Sequence, residues 1–346
     1  MRQRRIALIS CSNGLGHVRR LLALSLALRE QGAEPVLLAP AQKVERLVNA
    51  LGIPQPKTVD FFSRTTLSHW MDPTDVGWID DLPTLDDYDD VVSDNLIEIL
   101  EVRPDAWLSG SFFWHRSLDE FSAAKAEHAE RLLRDVHPKM ISSDLFAAPY
   151  LEDNTRLSRV GLYSFGHSPP IKRGGDVLVS CGTGGAIAHE AEDLVSAIAT
   201  GPRPISGTVF VEPSTYRADM PEWIRPADFT PEMYSALQLA VIRPGVGSAT
   251  GALLVGARLF CYYERGNGEM RFNAQRVAEV GVGEDCGNAL DAWKAALNWL
   301  GDVEARARHD AMAALIDRDG ARQAARLIIG GGLPAEVDPA MVVAAR

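Results

Sequence analysis

The chain has 346 residues, of which 46% are hydrophobic and 23% are charged, a composition typical of globular proteins and a length that suits two domains. Its formal net charge of −11 argues against a general nucleic-acid binder, because neutralising phosphates requires a basic face. No apolar run approaches the roughly 20 residues that span a bilayer, although peripheral contact with a membrane surface stays open. We therefore expect a soluble, cytoplasmic protein.

The N-terminal residues predict a strand–helix–strand unit. The apolar run at residues 6–9 enters a glycine loop, so we interpret it as a first β-strand rather than as a signal peptide. A leucine-rich helix at residues 18–31, ended by Gly32, and a strand at residues 35–39 follow. Such a unit implies a parallel sheet with helices on its faces.

A second unit of the same kind begins at residues 176–180, where an apolar strand enters another glycine loop. The segment 164–175 between the two units is rich in proline and glycine and is the best linker candidate. We therefore predict an α/β protein with two Rossmann-like domains facing each other across a cleft. The predicted domains are residues 1–165 and 175–330, and a tail at 331–346 is expected to pack on the first domain.

The most informative motif is a glycine loop at residues 244–248, which follows the apolar run 237–242 and opens an Ala/Leu-rich segment at 250–256. A glycine loop between a strand and a helix presents backbone N–H groups and the helix dipole to an anion. Glu269 and Asn273 follow the next strand, where they could reach the hydroxyls of a sugar attached to that phosphate. The pattern indicates a nucleotide-sugar site.

The N-terminal glycine loop does not fit a dinucleotide site. Gly14 and Gly16 match the first two fingerprint glycines, but Arg19 stands at the third, and the second strand ends without an acid. His17 lies where this loop becomes a helix and should face the carboxyl edge of the sheet. An imidazole there suits a general base; the alternative is that His17 caps the helix or bonds to backbone.

An acidic region covers residues 60–95. No Lys or Arg occurs from Thr65 to Val102, and nine aspartates fall between Asp72 and Asp94. One interpretation is a solvated insertion loop. The other is an acceptor-binding lip in which Trp78 stacks on a ring and Asp80 and Asp81 form hydrogen bonds. The paired aspartates have no partner motif for a metal.

The four cysteines, Cys11, Cys181, Cys261 and Cys286, are far apart and show no CxxC pairing. We interpret them as reduced thiols that form neither a disulfide framework nor a zinc site. The sequence therefore predicts no cofactor and no bound metal.

Three motifs together are similar to one family. GLGHVRR near the N-terminus, VLVSCGTGGA in mid-chain and AVIRPGVGSATGALLVGARLFCYYERGNGEMRFNAQRVAEVGVG resemble the GT-B glycosyltransferases. The likeness is greatest to the branch that includes the lipid-linked N-acetylglucosaminyltransferase of peptidoglycan synthesis and its small bacterial relatives. It covers both domains in the expected order.

The resemblance implies that the second domain binds the nucleotide-sugar donor. The implied donor-binding residues are Gly182, Thr183, Gly184, Gly185, Phe229, Thr230, Met233, Arg243, Gly245, Gly247, Ser248, Glu269 and Asn273. Phe229, Thr230 and Met233 would surround the base. Two positions depart from the family: Gly251 replaces a ribose-binding Glu, and Met270 replaces a Gln beside the sugar. UDP is favoured, and dTDP or another nucleotide stays open.

We therefore expect a metal-independent glycosyltransferase that moves a sugar from a nucleotide diphosphate donor to an acceptor hydroxyl or amine. His17 would be the general base, and direct displacement would invert the anomeric carbon. One alternative is a nucleotide-sugar hydrolase like those of sialic-acid-like sugar pathways, which share a glycine-His loop. The other is a non-catalytic nucleotide-sugar-binding protein. The acidic region favours a transferase, because water needs no acceptor platform.

Overall fold

The computed structural model describes residues 2–12, 14–60, 78–117, 121–165, 174–182 and 187–330. These residues form two α/β domains, each built on one parallel sheet. The predicted fold class is confirmed.

The sheet of the N-terminal domain has seven parallel strands in the order β3-β2-β1-β4-β5-β6-β7. Along β1, Ile6 and Leu8 pack into the apolar layer on one face, and Ala7 and Ile9 pack into the layer on the other. Burial on both faces explains why the strand has no polar alternation. The strands are β1 (Arg5–Ser10), β2 (Glu34–Leu38), β3 (Lys57–Val59), β4 (Asp90–Asp94), β5 (Trp107–Ser109), β6 (Lys139–Ser143) and β7 (Arg156–Val160).

The sheet of the C-terminal domain has six parallel strands in the order β10-β9-β8-β11-β12-β13. Its central strand repeats the pattern of β1, since Leu239 and Val241 enter one apolar layer and Ala240 and Ile242 enter the other. The strands are β8 (Asp176–Ser180), β9 (Val209–Val211), β10 (Ile224–Pro226), β11 (Leu237–Ile242), β12 (Arg258–Tyr262) and β13 (Gly283–Gly287).

The helices cover the sheet faces. The first begins at Gly16, two residues before its predicted start, so that His17 lies within its first turn. None in the described part of the chain is long and apolar enough to cross a bilayer. The α-helices are α1 (Gly16–Glu30), α2 (Ala41–Leu51), α3 (Trp114–Ser117), α4 (Ala123–Val136), α5 (Ala188–Thr200), α6 (Pro231–Ser235), α7 (Val246–Leu254), α8 (Gly268–Glu279), α9 (Ala289–Gly301), α10 (Val303–Ala314) and α11 (Gly320–Gly330).

The chain passes between the domains twice, and the two passages lie side by side. Leu162 N donates to Asp317 O at 2.8 Å, and Gly320 N donates to Leu162 O at 3.0 Å. After the second passage, α11 packs against α1 in the N-terminal core. The predicted boundary of the second domain at residue 330 is therefore corrected, because residues 320–330 belong to the first domain. The tail at 331–346 and most of the predicted linker lie outside the described residues.

Candidate active site

The N-terminal glycine loop and the glycine loop at residues 244–248 each follow a strand at which the strand order of its sheet reverses. In the N-terminal sheet β1 lies between β2 and β4, and in the C-terminal sheet β11 lies between β8 and β12. Ser10 at the end of β1 pairs with Asp94 at the end of β4. Open α/β sheets bind ligands in the crevice outside the carboxyl ends of their strands at such reversals. The topology thus places a candidate ligand crevice beside each loop.

The two loops touch each other across the domain boundary. A Cβ atom at Gly247 would come within 3.3 Å of the Gly16 Cα, and one at Gly16 would lie 3.9 Å from the Gly247 N. The two backbones approach closely because neither residue carries a side chain. The predicted phosphate loop and the predicted loop of the general base therefore meet at the domain boundary.

His17 is bound by an acid that the sequence analysis did not single out. Its Nδ1 lies 2.6 Å from Oδ1 of Asp94, and Arg20 donates to both oxygens of the same carboxylate, at 2.7 and 2.8 Å. Asp94 is fully buried. Burial alone would raise the pKa of Asp94, but the charge and hydrogen bonds of Arg20, together with the His17 hydrogen bond, hold it below its ordinary value.

The pairing fixes which nitrogen of His17 can accept a proton. An ionised carboxylate only accepts hydrogen bonds, so the neutral imidazole carries its hydrogen on Nδ1 and leaves Nε2 as the basic nitrogen. Leu15, the residue before α1, forms no side-chain hydrogen bond that would cap the helix. His17 therefore bonds to a carboxylate, which differs from the capping alternative that the sequence left open.

Glu269 lies in the first turn of α8, on the C-terminal side of the site. Burial raises the pKa of Glu269 to about 7, against the lowering influence of Arg243 in its own domain and Arg20 in the other. The preceding residue, Gly268, packs against the N-terminal domain, since a Cβ there would lie 3.4 Å from the Ser117 O. The predicted sugar-side acid thus stands at the domain boundary and titrates near neutral pH.

Asn273 and Arg243 stand behind the phosphate loop. Asn273 is 1% exposed, and its Nδ2 donates to Pro244 O at 2.9 Å. Arg243 forms an ion pair with Glu264, with nitrogen–oxygen distances of 2.5 to 3.1 Å. Asn273 thus ties α8 to the loop, and its predicted place near the donor sugar stays a prediction.

The predicted base-binding residues divide into two groups. Phe229, which adopts a positive φ of 56°, and Thr230 are half-buried. The Thr230 Oγ1 caps α6 by accepting a hydrogen bond from Met233 N at 3.2 Å. Met233 is only 4% exposed and packs in the apolar core. Its predicted contact with a base is therefore corrected, because its side chain faces the interior.

The two departures from the family have structural explanations. A Cβ at Gly251 would lie 2.6 Å from Cζ of Tyr234, so the Tyr234 ring occupies the space of any side chain at that position. Met270 is 2% exposed and is directed inward. At Gly251, Tyr234 stands where the resemblance implies a ribose-binding acid.

The mid-chain loop is described only at its start. Gly182 adopts a positive φ of 58°, and its N–H donates to Ser180 Oγ at 3.1 Å, while that hydroxyl donates to Glu212. Ser180 and Gly182 lie at the carboxyl end of β8. Thr183, Gly184 and Gly185 lie outside the described residues, so their predicted contact with the diphosphate stays a prediction.

The predicted acceptor lip is corrected at Trp78, and residues 61–77 of the acidic region lie outside the described residues. Trp78 is 5% exposed and packs in the N-terminal core, so its ring is not available to stack on a ligand. Asp80 and Asp81 are exposed. Tyr88 packs partly against the same core and lies under the Arg5 guanidinium at 4.9 Å. The described part of the acidic region lies over the sheet as ordinary folded structure.

The aspartates of this region do find basic partners, which come from distant parts of the chain. Asp90 accepts from Arg4 at 2.5 and 2.9 Å. Asp89 accepts from the backbone N of Arg5 at 2.7 Å, and Asp94 accepts from Arg20. The donors to these three aspartates come from the N-terminal residues Arg4 and Arg5 and from α1.

An aromatic wall lies beside His17 on the N-terminal side. Trp114 is half-buried, and its ring centroid lies 5.9 Å from that of His17. Phe112 meets Trp114 edge-on at 4.8 Å. Within the described ranges, no three His, Cys, Asp or Glu side chains are grouped so as to hold a metal ion.

Several solved structures share this architecture. No protein-family model matches the sequence, and no curated protein matches it. The spinosyn rhamnosyltransferase SpnG, complexed with thymidine diphosphate, superposes with a TM-score of 0.61 at 16% identity, covering 95% of this chain and 99% of its own. LpCGTa in complex with UDP superposes with a TM-score of 0.65 at 13% identity, covering 95% of this chain and 99% of its own. SnogD, a glycosyltransferase from Streptomyces nogalater, gives 0.58 at 17% identity, with coverages of 96% and 100%. The chain has the GT-B fold.

Proposed function

We propose that this protein is a glycosyltransferase that moves a sugar from a nucleoside diphosphate donor to an acceptor hydroxyl or amine. The observation that carries the proposal is the His17–Asp94 pair, 2.6 Å apart at the place where the two glycine loops meet. The similar structures with bound UDP and TDP favour one of these two nucleotides as the donor carrier. The closer kinship with the peptidoglycan branch rests on the three sequence motifs alone.

In the proposed reaction, His17 acts as the general base. Its Nε2 takes the proton of the acceptor as the acceptor atom attacks the anomeric carbon, and the bond from that carbon to the diphosphate breaks. Attack opposite the leaving group inverts the anomeric carbon. The buried Asp94 carboxylate stabilises the imidazolium that forms, and it is held in place by Arg20.

The leaving diphosphate carries the bonding electrons away toward the N-terminus of α7. Gly245 precedes this helix with extended dihedral angles and no side-chain cap, so the first N–H groups of the helix are open to an anion. Gly247 and Ser248 are half-buried in the first turn. Preorganised donors of this kind stabilise developing negative charge without a metal ion.

Glu269 would hold the donor sugar. With a pKa of about 7, its carboxyl group can either donate or accept a hydrogen bond at neutral pH. On the opposite side, the half-buried Trp114, against which the buried Phe112 packs, offers an apolar surface to an acceptor. The two substrates would then meet between the domains, where water is excluded.

Release of the nucleotide from a panel of UDP- and TDP-sugars tests this function. The full chain is incubated with each donor, with and without cell extract as a source of acceptors. Release that requires extract supports the transferase. Release without extract would make the protein a nucleotide-sugar hydrolase, and donor binding without any turnover would make it a binding protein. Asp90→Asn provides a control variant, since Asp90 pairs with Arg4 away from His17.

A further inference from the structure

Arg19 stands in the first turn of α1 with its guanidinium between two aromatic rings. Its Cζ lies 5.3 Å from the ring centroid of Phe165 and 5.6 Å from that of Tyr234. Tyr234 belongs to the C-terminal domain, so Arg19 reaches across the domain boundary. Burial lowers the pKa of Arg19, but a guanidinium stays protonated in proteins.

The charge of Arg19 has no counterion in the described part of the structure. Neither an ion pair nor a side-chain hydrogen bond joins it to any described residue, whereas the adjacent Arg20 binds both oxygens of Asp94. The two aromatic rings attract the cation, but they accept none of the hydrogen bonds that its five N–H groups can donate in the plane of the guanidinium. A half-buried guanidinium without a counterion is costly unless an anion completes it.

The position of Arg19 indicates where that anion lies. Arg19 follows Gly16 by three residues, so both lie on the same face of α1, and Gly16 touches Gly247 at the start of α7. Tyr234, against which Arg19 lies, packs on Gly251 in the second turn of the same helix. Arg19 therefore faces the uncapped end of α7 from the other domain.

We propose that Arg19 binds the diphosphate of the donor. The diphosphate would then lie between Arg19 of the N-terminal domain and the N-terminus of α7 in the C-terminal domain. The inference rests on the proposed function, because it takes the donor to be a nucleoside diphosphate bound at α7. Arg19 thereby makes donor binding depend on both domains. The diphosphate would draw the N-terminal domain, and with it His17, onto the donor. A nucleoside without phosphates would gain nothing from Arg19.

Calorimetric titration of the full chain tests the proposal. UDP, TDP, uridine and thymidine are titrated into the wild type, Arg19→Met, Arg19→Lys and Arg29→Met. The methionine keeps the apolar stem of Arg19 and removes its charge. Arg29, exposed in the last turn of the same helix, is the matched control for loss of one positive charge. Thermal unfolding verifies that each variant is folded, and Arg19→Gln replaces Arg19→Met if the latter does not fold.

We expect Arg19→Met to weaken binding of the preferred diphosphate by roughly tenfold or more and to leave nucleoside binding unchanged. Arg19→Lys should retain more affinity than Arg19→Met, and Arg29→Met should match the wild type. Unchanged diphosphate affinity in Arg19→Met, or equal losses for diphosphate and nucleoside, would overturn this inference alone. A wild type that binds neither UDP nor TDP would overturn the proposed function together with it.

Discussion

Gly16 and Gly247 lie backbone to backbone across the domain boundary, and a Cβ atom at Gly247 would come within 3.3 Å of the Gly16 Cα. This approach brings the N-terminus of α1, which carries His17, against the N-terminus of α7. The closeness of the two helix ends therefore depends on two residues without side chains. Each domain supplies one part of the proposed site.

Gly247→Val tests this contact. The branched side chain requires more room than the 3.3 Å approach leaves, so we expect the loops to separate and diphosphate binding to weaken by roughly tenfold or more. Calorimetry with UDP and TDP measures the effect. Gly301→Val is a suitable control, because a Cβ at Gly301 meets no atom within 4 Å. Equal diphosphate affinity in the wild type and Gly247→Val would show that the contact is not needed for binding.

His17→Ala should lower turnover by about a hundredfold or more, the usual loss on removing a general base, while nucleotide affinity changes little. The His17 imidazole belongs to the N-terminal domain, and the proposed donor site lies mainly on the other. Steady-state kinetics and calorimetry on the same preparation separate the two quantities. Turnover like that of the wild type would remove His17 from the mechanism.

Asp94→Asn should lower turnover and also stability. The change preserves volume but removes the charge that Arg20 and His17 share, and breaking a buried ion pair costs about 3 kcal/mol or more. Denaturant unfolding and kinetics measure the two effects. Asp90→Asn, which disturbs a more exposed pair with Arg4, should cost less stability and leave turnover unchanged. An Asp94→Asn variant as active as the wild type would contradict the proposed role of Asp94.

Glu269→Gln should change the pH dependence of stability. The pKa of Glu269 is about 7 in the folded chain against 4.5 for an ordinary Glu, so the folded state binds more protons between these values. The wild type therefore loses stability as pH rises through this window, whereas Glu269→Gln lacks this loss.

Melting temperatures of both proteins at pH 5 and pH 8 test the sign. The melting temperature of Glu269→Gln, relative to that of the wild type, should be higher at pH 8 than at pH 5. Glu279→Gln, exposed on the same helix, serves as the control and should show no such gain. A difference in melting temperature between Glu269→Gln and the wild type that is the same at pH 5 and pH 8 would refute the raised pKa.

Trp114→Ala should raise the acceptor KM, because Trp114 forms the apolar wall beside His17, and leave nucleotide affinity unchanged. Trp78→Phe should instead lower the free energy of unfolding by about 1–3 kcal/mol with no change in acceptor KM, since Trp78 is a core residue. Kinetics with an acceptor identified from extract, together with denaturant unfolding, distinguish the two tryptophans. An acceptor KM that is raised by Trp78→Phe and not by Trp114→Ala would support the predicted contact of Trp78 with the acceptor.

The sequence by itself determined the local elements and the two glycine loops. Apolar runs without polar alternation predicted β1, β8 and β11, because strands buried on both faces have that pattern. Gly32, with its positive φ of 83°, marked the end of the first helix. His17 was found because it lies in the same short loop as the glycines. All of these features depend on residues that are neighbours in the chain.

The tertiary structure decided which distant residues meet. Asp94 is one of nine aspartates between residues 72 and 94, and only the pairing of β4 with β1 places it beneath His17. Tyr234 fills the space at Gly251 because α6 and α7 pack together, and α11 returns to the first domain after a second passage. Burial and ion pairing depend on the order of strands in the sheet and on the packing of the domains. Local sequence patterns do not encode that order, because contacts between distant residues form only when the whole chain is packed.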